Sequence, residues 1–312
     1  MKEGIFLSYI GLGSNILHLS YCHEIAKKYG PVTVITICKN FKEAVDNDPS
    51  IKEVIYIDKY FKKFSDVFKL AKKLASYNLD SIYIFYPSVR LYLAGKLAKI
   101  SEVKTYPIFK KKNLHLVNAA KNFVEKNLDI KKCPTETTFY VDPVEKMKSE
   151  SQMNKSFKNL VIGAGSSGPT TKWGEKNYIQ LLRKLKKHGK YYFYIQCGPD
   201  EKNIAESIIN EIGENYCETL SNKNIKSLIP IIANCDLYVG NDSFGHHITS
   251  QCGVPSIILL LDTPRAYTDY SVNQYQIVPN GIDINEITHD KSISPNNIKV
   301  EDVFNKIISL IK

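Results

Sequence analysis

Short apolar runs alternate with longer amphipathic stretches along the first half of the chain. The first apolar run, 5–10, ends in Gly11-Leu12-Gly13-Ser14, and the amphipathic stretch 15–29 that follows ends at Gly30-Pro31. A short apolar run predicts a β-strand, and apolar positions three and four residues apart predict a helix. On these criteria, further strands are predicted at 32–38, 54–57, 81–86 and 103–106, and further helices at 41–46, 61–77, 90–99 and 116–127.

The alternation stops between residues 129 and 157 and then resumes. This segment contains Pro134 and Pro143, many charges and little periodicity, which predicts a linker. Beyond it, strands are predicted at 159–162, 191–196, 237–239 and 256–261, and helices at 176–188, 201–212, 225–234, 243–251 and 300–311. Alternating strands and helices are typical of a parallel sheet with crossover helices.

Two halves of similar size predict an α/β protein with two Rossmann-like, doubly wound domains facing a cleft. We place the first domain at residues 1–150 and the second at 151–312. The terminal helix 300–311 either completes the second domain or packs back on the first. Open α/β sheets bind their ligands beyond the carboxyl ends of the strands. The turns that follow the strands are therefore where functional residues are expected.

Composition and charge bear on the partners. The 312 residues are 43% hydrophobic and 24% charged, as in globular proteins, and no apolar run approaches the ~18 residues that span a bilayer. The seven cysteines are odd in number and lack a CxxC spacing, which favours a reducing, cytoplasmic compartment over a disulfide framework or a zinc site. The net charge of +10 indicates either a lysine-rich solvated surface or attraction to an anionic partner, such as nucleotide phosphates or a membrane face. Nucleic acid is not expected, because the basic clusters lack interleaved aromatic residues.

A glycine-rich turn follows the first strand of the second half. Gly163-Ala164-Gly165-Ser166-Ser167-Gly168 matches G-x-G-x-x-G, but a dinucleotide site would place an acid about 20 residues further on, where this chain has Arg183. We interpret the turn as a phosphate site made of exposed backbone N–H groups. Thr170, Thr171 and Lys172 add donors and a positive charge. A plain surface turn and an NAD site are the alternatives.

A second turn, Gly240-Asn241-Asp242-Ser243-Phe244-Gly245-His246-His247, joins a strand to a helix N-terminus. Such a terminus favours phosphate, and Asp242 and Ser243 are also ordinary N-cap residues. One of the two histidines is expected to face the same ligand. A metal site is not expected, because adjacent histidines diverge on a helix. Glu201, after the strand 191–196, either bonds to ribose or base atoms or simply begins its helix.

These segments resemble glycosyltransferase family 9, the ADP-heptose:lipopolysaccharide heptosyltransferases. Residues 163–173 resemble the family's GASSGPxKRWP stretch, 197–201 its GGPEE, and 240–255 its GNDSGPMHLAAALGVP. Residues 11–30 are more weakly similar to GSLGDVLLTLPLLRALK. The resemblance implies a GT-B fold with the donor sugar nucleotide in the C-terminal domain and the acceptor in the N-terminal one. The residues that match donor-binding positions are Ser166, Thr170, Thr171, Lys172, Glu201, Asp242, Ser243 and His247.

The resemblance also implies an activity and a place in the cell. It implies an inverting, metal-independent transfer of a heptose or related sugar from a nucleotide-diphosphate sugar, ADP-linked in this family, to lipopolysaccharide or another surface glycan. No cofactor is expected. The partners are the nucleotide sugar and a glycolipid or oligosaccharide acceptor. The protein is expected in the cytoplasm, with peripheral contact to the anionic inner membrane as one alternative.

The position of the catalytic base departs from the family pattern. Asn15 stands where the family has the Asp of "GD", and an amide does not take up a hydroxyl proton as a carboxylate does. His18 and His23 on the following helix are the other candidates. Three further hypotheses stay open: a catalytically degenerate sugar-nucleotide- or glycan-binding protein, a nucleotide-sugar epimerase, and an NAD(P)-dependent oxidoreductase.

Overall fold

The computed structural model describes residues 2–58, 63–107, 115–166, 168, 170–288 and 293–311. Residues 61 and 62 of the predicted helix 61–77 and Ser167 of the glycine-rich turn lie outside this part of the chain. The chain divides into two compact units, residues 1–140 and 141–312. Each unit holds a parallel β-sheet with crossover helices, which confirms the predicted α/β class.

Five strands in the described part of the first unit form a parallel sheet with the order β3-β2-β1-β4-β5. These strands are β1 (Glu3–Leu7), β2 (Val32–Thr36), β3 (Ile51–Tyr56), β4 (Ser81–Ile84) and β5 (Glu102–Thr105). The helices are α1 (Leu12–Leu17), α2 (Leu19–Tyr29), α3 (Phe41–Ala44), α4 (Asp66–Ala75), α5 (Val89–Leu97) and α6 (Leu116–Leu128). Every residue of β1 and β2 is buried, as expected for central parallel strands covered on both faces.

The second unit contains a six-stranded parallel sheet with the order β11-β10-β9-β6-β7-β8. Its strands are β6 (Lys158–Gly163), β7 (Tyr191–Gln196), β8 (Cys217–Thr219), β9 (Leu237–Asn241), β10 (Ser256–Leu259) and β11 (Gln274–Ile277). Its helices are α7 (Pro143–Gln152), α8 (Glu175–His188), α9 (Lys202–Ile212), α10 (Ile225–Asn234), α11 (Phe244–Gln251) and α12 (Val300–Leu310). In each sheet the strand order reverses once, between β1 and β4 and between β6 and β9. Ligands of doubly wound sheets bind at such reversals.

Three elements differ from the sequence prediction. The predicted helix 15–29 is two helices, α1 and α2, which meet at His18, where the backbone N–H bonds to the Asn15 carbonyl at 3.1 Å and tightens the turn. The strands β8 and β11 were not predicted, because they are short and only partly buried at the sheet edges. Both lack the continuous apolar run by which the inner strands were recognised.

A helix also lies inside the segment predicted as a linker. The carboxylate of Asp142 accepts hydrogen bonds from the backbone N–H groups of Val144 and Glu145 at 2.9 and 3.1 Å, and Pro143 occupies the first turn, so α7 has a complete N-terminal cap. Helix α7 packs on α10 in the second unit, and α12 packs on α8 in the same unit. Within the described residues, no helix has both the length and the apolar character needed to cross a bilayer.

Candidate functional site

The two glycine turns of the second unit are neighbours, because β6 and β9 are adjacent strands on either side of the order reversal. Gly163 and Gly240 lie directly opposite each other in the sheet. A Cβ atom on Gly240 would lie 2.5 Å from the Gly163 Cα, and one on Gly163 would overlap the Tyr238 hydroxyl. Glycine at position 240 therefore lets the two turns approach to backbone contact, and glycine at position 163 leaves room for the Tyr238 ring.

Asn241 links the two turns. Its side chain is completely buried, its Nδ2 donates to the Ala164 carbonyl at 2.9 Å, and its Oδ1 accepts from the Trp173 backbone N–H at 2.9 Å. The Tyr178 hydroxyl donates to the same Oδ1 at 3.1 Å. The Asn241 amide, at the end of β9, therefore fixes the shape of the glycine-rich turn that follows β6, which we call the β6 turn. Sequence reasoning did not assign it a role, although it lies inside the second glycine motif.

Asp242 lies next to both histidines of α11. Its Oδ1 is 2.6 Å from His246 Nε2 and 3.7 Å from His247 Nε2, and the imidazole rings are 3.9 Å apart. The histidines are buried, whereas 18% of the Asp242 side chain is exposed. The argument that adjacent histidines diverge was therefore wrong, since three atoms able to bind a metal lie within 4.8 Å of one another.

Gln274 determines which nitrogen of His246 carries the hydrogen. The Gln274 Oε1 accepts the backbone N–H groups of Tyr270 and Ser271 at 3.1 and 3.2 Å, which leaves the Nε2 amide to face His246 Nδ1 at 3.2 Å. Nδ1 is then the acceptor, and His246 donates its Nε2–H to Asp242. In this arrangement His246 orients the carboxylate and presents no Nε2 lone pair to a cation. Gln274 begins β11, so it was missed together with that strand.

The β6 turn brings together three of the predicted donor-site residues. Lys172 Nζ lies 2.5 Å from Glu201 Oε1, which also accepts the Ser166 backbone N–H at 3.3 Å. Glu201 Oε2 accepts the Gly198 N–H at 3.0 Å. The ribose-facing role expected for Glu201 stays a prediction, and its carboxylate here binds the lysine and two main-chain amides.

The remaining donor-site residues surround the same turns. Thr171 Oγ1 is 2.6 Å from Ser166 Oγ, and Thr170 lies partly exposed beside it. The Ser243 hydroxyl bonds to the Tyr238 hydroxyl at 2.9 Å and makes no side-chain cap on α11. Without that cap, the first N–H groups of α11 are suited to an anion. His247 Nδ1 is 2.7 Å from the Tyr270 hydroxyl.

Asn15 is a buried structural residue of the first unit. Its Nδ2 donates to the carbonyls of Tyr9 and Gly11 at 3.0 and 2.7 Å, and its Oδ1 accepts the Thr36 hydroxyl at 2.7 Å. The side chain is completely buried. The amide therefore holds the turn that follows β1, which we call the β1 turn, against β2. Both the Nδ2 and the Oδ1 of Asn15 are occupied by these hydrogen bonds.

The two histidines considered as bases also make structural contacts. His18 is buried, its Nδ1 donates to the Ser14 carbonyl at 2.6 Å, and its ring stacks on Tyr9 at 4.7 Å. His23 bonds to Asp48 and Thr137 at 2.8 and 2.7 Å. Because Asp48 precedes β3, this pair lies toward the amino ends of the strands, away from the edge where ligands are expected. The catalytic role considered for either histidine stays a prediction.

Burial gives His18 a pH effect on stability. It lowers the pKa of His18 from its ordinary value to about 4. As the pH falls below about 6.5, the unfolded chain takes up the proton before the folded one, so stability is complete above that pH and declines toward pH 4. We expect the free energy of unfolding in urea to fall by about 2 kcal/mol from this group between about pH 7 and pH 5. The His18→Phe variant should lose that component, whereas His188→Gln, at an exposed histidine, should keep it. Equal pH slopes in all three proteins would contradict the assignment.

The GT-B class of glycosyltransferases has this architecture. Each of its two units is built on a parallel sheet, and glycine-rich turns lie side by side where the strand order of the second sheet reverses. Comparison of sequences gives the family within this class. Residues 92–294 match the profile of glycosyltransferase family 9 (heptosyltransferase). The chain belongs to this family, as the motif resemblance predicted.

Individual relatives agree with this assignment. A lipooligosaccharide heptosyltransferase 2 of Haemophilus influenzae is 30% identical over 105 residues, a match that spans 32% of this chain and 30% of that protein. The structure of Escherichia coli ADP-heptose lipopolysaccharide heptosyltransferase II superposes with a TM-score of 0.77 at 15% identity, covering 100% of this chain and 98% of the other. E. coli heptosyltransferase WaaC with ADP gives 0.73 at 15% identity, covering 99% of both chains. At this identity the two structures establish a shared fold.

Proposed function

We propose that this protein transfers a heptose or a related sugar from an ADP-linked sugar nucleotide to lipopolysaccharide or another surface-glycan acceptor. The observation that carries the proposal is the pair of turns joined by Asn241 at the order reversal of a family 9 chain. They put Lys172 and the uncapped start of α11 at the edge of one sheet. Binding of ADP is supported by the solved relative that contains this nucleotide.

In the proposed complex, the diphosphate lies against the N–H groups of α11 and is neutralised by Lys172. A carboxylate repels phosphate and accepts hydrogen bonds from hydroxyl groups, so Asp242 is assigned to the sugar. His246 holds Asp242 in position through the 2.6 Å hydrogen bond. Glu201 is assigned to the ribose, whose hydroxyls replace Lys172 as its partner once the lysine turns to the phosphate.

The proposed reaction is a single displacement. An acceptor hydroxyl attacks the anomeric carbon, the bond from that carbon to the diphosphate oxygen breaks, ADP leaves with the bonding electrons, and the hydroxyl proton passes to solvent water. Attack from the side opposite the leaving group inverts the anomeric configuration. Lys172 and main-chain N–H groups stabilise the charge on the leaving diphosphate, so the proposal needs no metal. Asn15 does not take up the proton, because its amide is occupied in the β1 turn.

That same amide favours a second candidate, a family member that binds sugar nucleotide or glycan without turnover. The two candidates share the donor site and differ in activity with donor and acceptor present. Measurable transfer by the wild-type protein eliminates the binding protein. Donor binding without transfer or donor hydrolysis, over a panel of acceptors, eliminates the enzyme. In either case we place the protein in the cytoplasm, in peripheral contact with the inner membrane.

Nucleotide binding tests the donor site directly. We expect ADP to raise the melting temperature of the wild-type protein, since a ligand of the native state adds RT ln(1 + [L]/Kd) to its stability. Asp242→Ala and His247→Ala should weaken binding of the sugar nucleotide by about tenfold to a hundredfold, the usual effect of losing hydrogen bonds to charged groups. The matched control is Asp302→Ala, at an exposed acid in the first turn of α12.

The same samples test metal independence. Sugar-nucleotide affinity and transfer should be unchanged by EDTA if Lys172 and the N–H groups supply all the positive charge. Loss of activity in EDTA, restored by a divalent cation, would overturn the metal-independent mechanism and point to the cluster of Asp242, His246 and His247. Unchanged sugar-nucleotide affinity in both site variants would instead overturn the donor-site assignment.

A further inference from the structure

Two aromatic side chains on or just before α4 face the solvent. The helix packs into the core through one face, made of Val67, Leu70, Ala71 and Leu74. Phe64, just before the helix, is 66% exposed, and Phe68, four residues later, is 62% exposed. The Phe64 carbonyl accepts the Val67 backbone N–H at 3.1 Å, so the chain already turns at Phe64, and the two aromatic residues lie about one turn apart at the start of this helix. Exposed phenylalanines in such a pair indicate a contact surface.

Lysines surround this pair. Lys63, Lys69, Lys72 and Lys73 are all exposed, and the Lys69 side chain is exposed by 82%. Asp66, in the first turn of α4, accepts the Lys63 backbone N–H at 2.9 Å and lies 3.9 Å from Lys69 Nζ. We define the α4 patch as Lys63, Phe64, Phe68, Lys69 and Lys72. Its three ammonium groups outnumber the carboxylate of Asp66 beside them, so the patch carries net positive charge.

Helix α7 has a similar amount of exposed apolar surface with a different charge. Val144 is 66% exposed and Met147 is 63% exposed. The neighbouring Lys148 lies 3.9 Å from the Glu145 carboxylate, so acids balance the lysines on this helix. The α4 patch therefore differs from α7 in net charge and in its aromatic side chains. This makes α7 a matched control for apolar exposure alone.

We propose that the α4 patch is the surface by which this protein contacts an anionic lipid bilayer. Aromatic side chains enter the headgroup region, and lysines beside them bind anionic lipids, each contributing through the negative surface potential. The chain's net charge of +10 acts in the same direction. The patch surrounds the N-terminal turns of α4, and crossover helices of a parallel sheet begin at the carboxyl edge, where a ligand of this sheet would bind. The proposal rests on the proposed function for its purpose, because a lipopolysaccharide acceptor is carried by a membrane.

Vesicle binding by the full chain tests the proposal in the absence of any donor or acceptor. Co-sedimentation is measured with vesicles of phosphatidylglycerol and phosphatidylcholine in about equal parts, and with phosphatidylcholine alone. We expect the wild type to bind the anionic vesicles and not the neutral ones. Phe64→Ser with Phe68→Ser, and separately Lys69→Glu with Lys72→Glu, should each weaken this binding by about tenfold or more. The control, Val144→Ser with Met147→Ser, should bind like the wild type.

Melting temperature and ADP affinity of each variant separate this proposal from the proposed function. All the variants should match the wild type in both, because the substituted side chains are exposed and lie outside the donor site. The proposal would be overturned, with the donor site left intact, if the wild-type protein did not bind anionic vesicles. It would also be overturned if the patch variants bound these vesicles as well as the control does. Equal binding to neutral vesicles would overturn it too. A wild type that binds vesicles but not ADP would instead overturn the proposed function.

Discussion

Replacing Gly240 with alanine is expected to lower the free energy of unfolding by about 3 kcal/mol, at the upper end of the cost of overpacking a core. The added Cβ would lie 2.5 Å from the Cα and carbonyl oxygen of Gly163 and 2.7 Å from its nitrogen. All three are main-chain atoms of the adjacent strand, so no side-chain rotation relieves the overlap and β6 must move away from β9. Asn241, the next residue, holds the two glycine turns together, so movement of β6 away from β9 should separate the turns. The increase in melting temperature caused by ADP should then disappear.

Urea unfolding and the ADP-induced shift in melting temperature measure both effects. The control is Gly11→Ala, whose Cβ would meet only the Ser14 Oγ, at 3.8 Å. That variant should change the free energy of unfolding by less than about 1 kcal/mol. A Gly240→Ala protein with wild-type stability and ADP response would show that close contact of the strands is not needed for the site.

Replacing Asn15 with aspartate is expected to destabilise the protein by about 3 kcal/mol, although it introduces the acid that the motif resemblance to family 9 implies at this position. The new carboxylate would have to face the carbonyls of Tyr9 and Gly11, which now accept hydrogen bonds from Nδ2. It would be a buried anion between two acceptors. We therefore expect no gain in sugar transfer, because the protein around Asn15 is built for an amide.

The pH dependence of that variant provides a specific signature. Burial beside two carbonyl oxygens raises the pKa of a carboxyl group, so the folded protein would take up a proton more readily than the unfolded chain. The stability difference between Asn15→Asp and wild type should therefore shrink as the pH falls toward about 4. Asn118→Asp, at an exposed position early in α6, should show no such trend. Transfer activity gained by Asn15→Asp would contradict the structural role.

Hydropathy was sufficient for the inner strands of both sheets and for the edge strands of the first, but not for the two edge strands of the second. The strands β1, β2, β6 and β9 carry buried apolar residues on both faces, because both faces of a central parallel strand are covered. By contrast, β8 and β11 are short and half-buried, so their sequences resemble loops. Helix α7 was missed for another reason: it is capped by Asp142 and Pro143 but carries little apolar periodicity.

The sequence predicted those residues of the candidate site that belong to local motifs. It did not predict the side-chain contacts between residues distant in the chain. The glycine turns, Asp242 and His247 follow from local sequence, because a turn between strand and helix has characteristic residues. The ion pair of Lys172 with Glu201 joins the turns after two different strands. The hydrogen bonds of Asn241 with Ala164, Trp173 and Tyr178 also join residues far apart in the chain, as does the contact of Gln274 with His246. Periodicity carries no information on which side chains such separate segments bring together.

The contact between Gln274 and His246 has a consequence for the edge of the second sheet. β11 is an edge strand of this sheet, and its first residue is Gln274, whose side chain is held by two backbone N–H groups. Through its contact with His246, Gln274 determines which nitrogen of that imidazole carries the hydrogen. The same contact therefore sets the orientation of the Asp242 carboxylate. A shift of β11 would therefore change which nitrogen of His246 carries the hydrogen. With Asp242 assigned to the sugar as proposed above, substitutions in 270–274, remote from any glycine motif, are expected to alter sugar selectivity before they alter the fold.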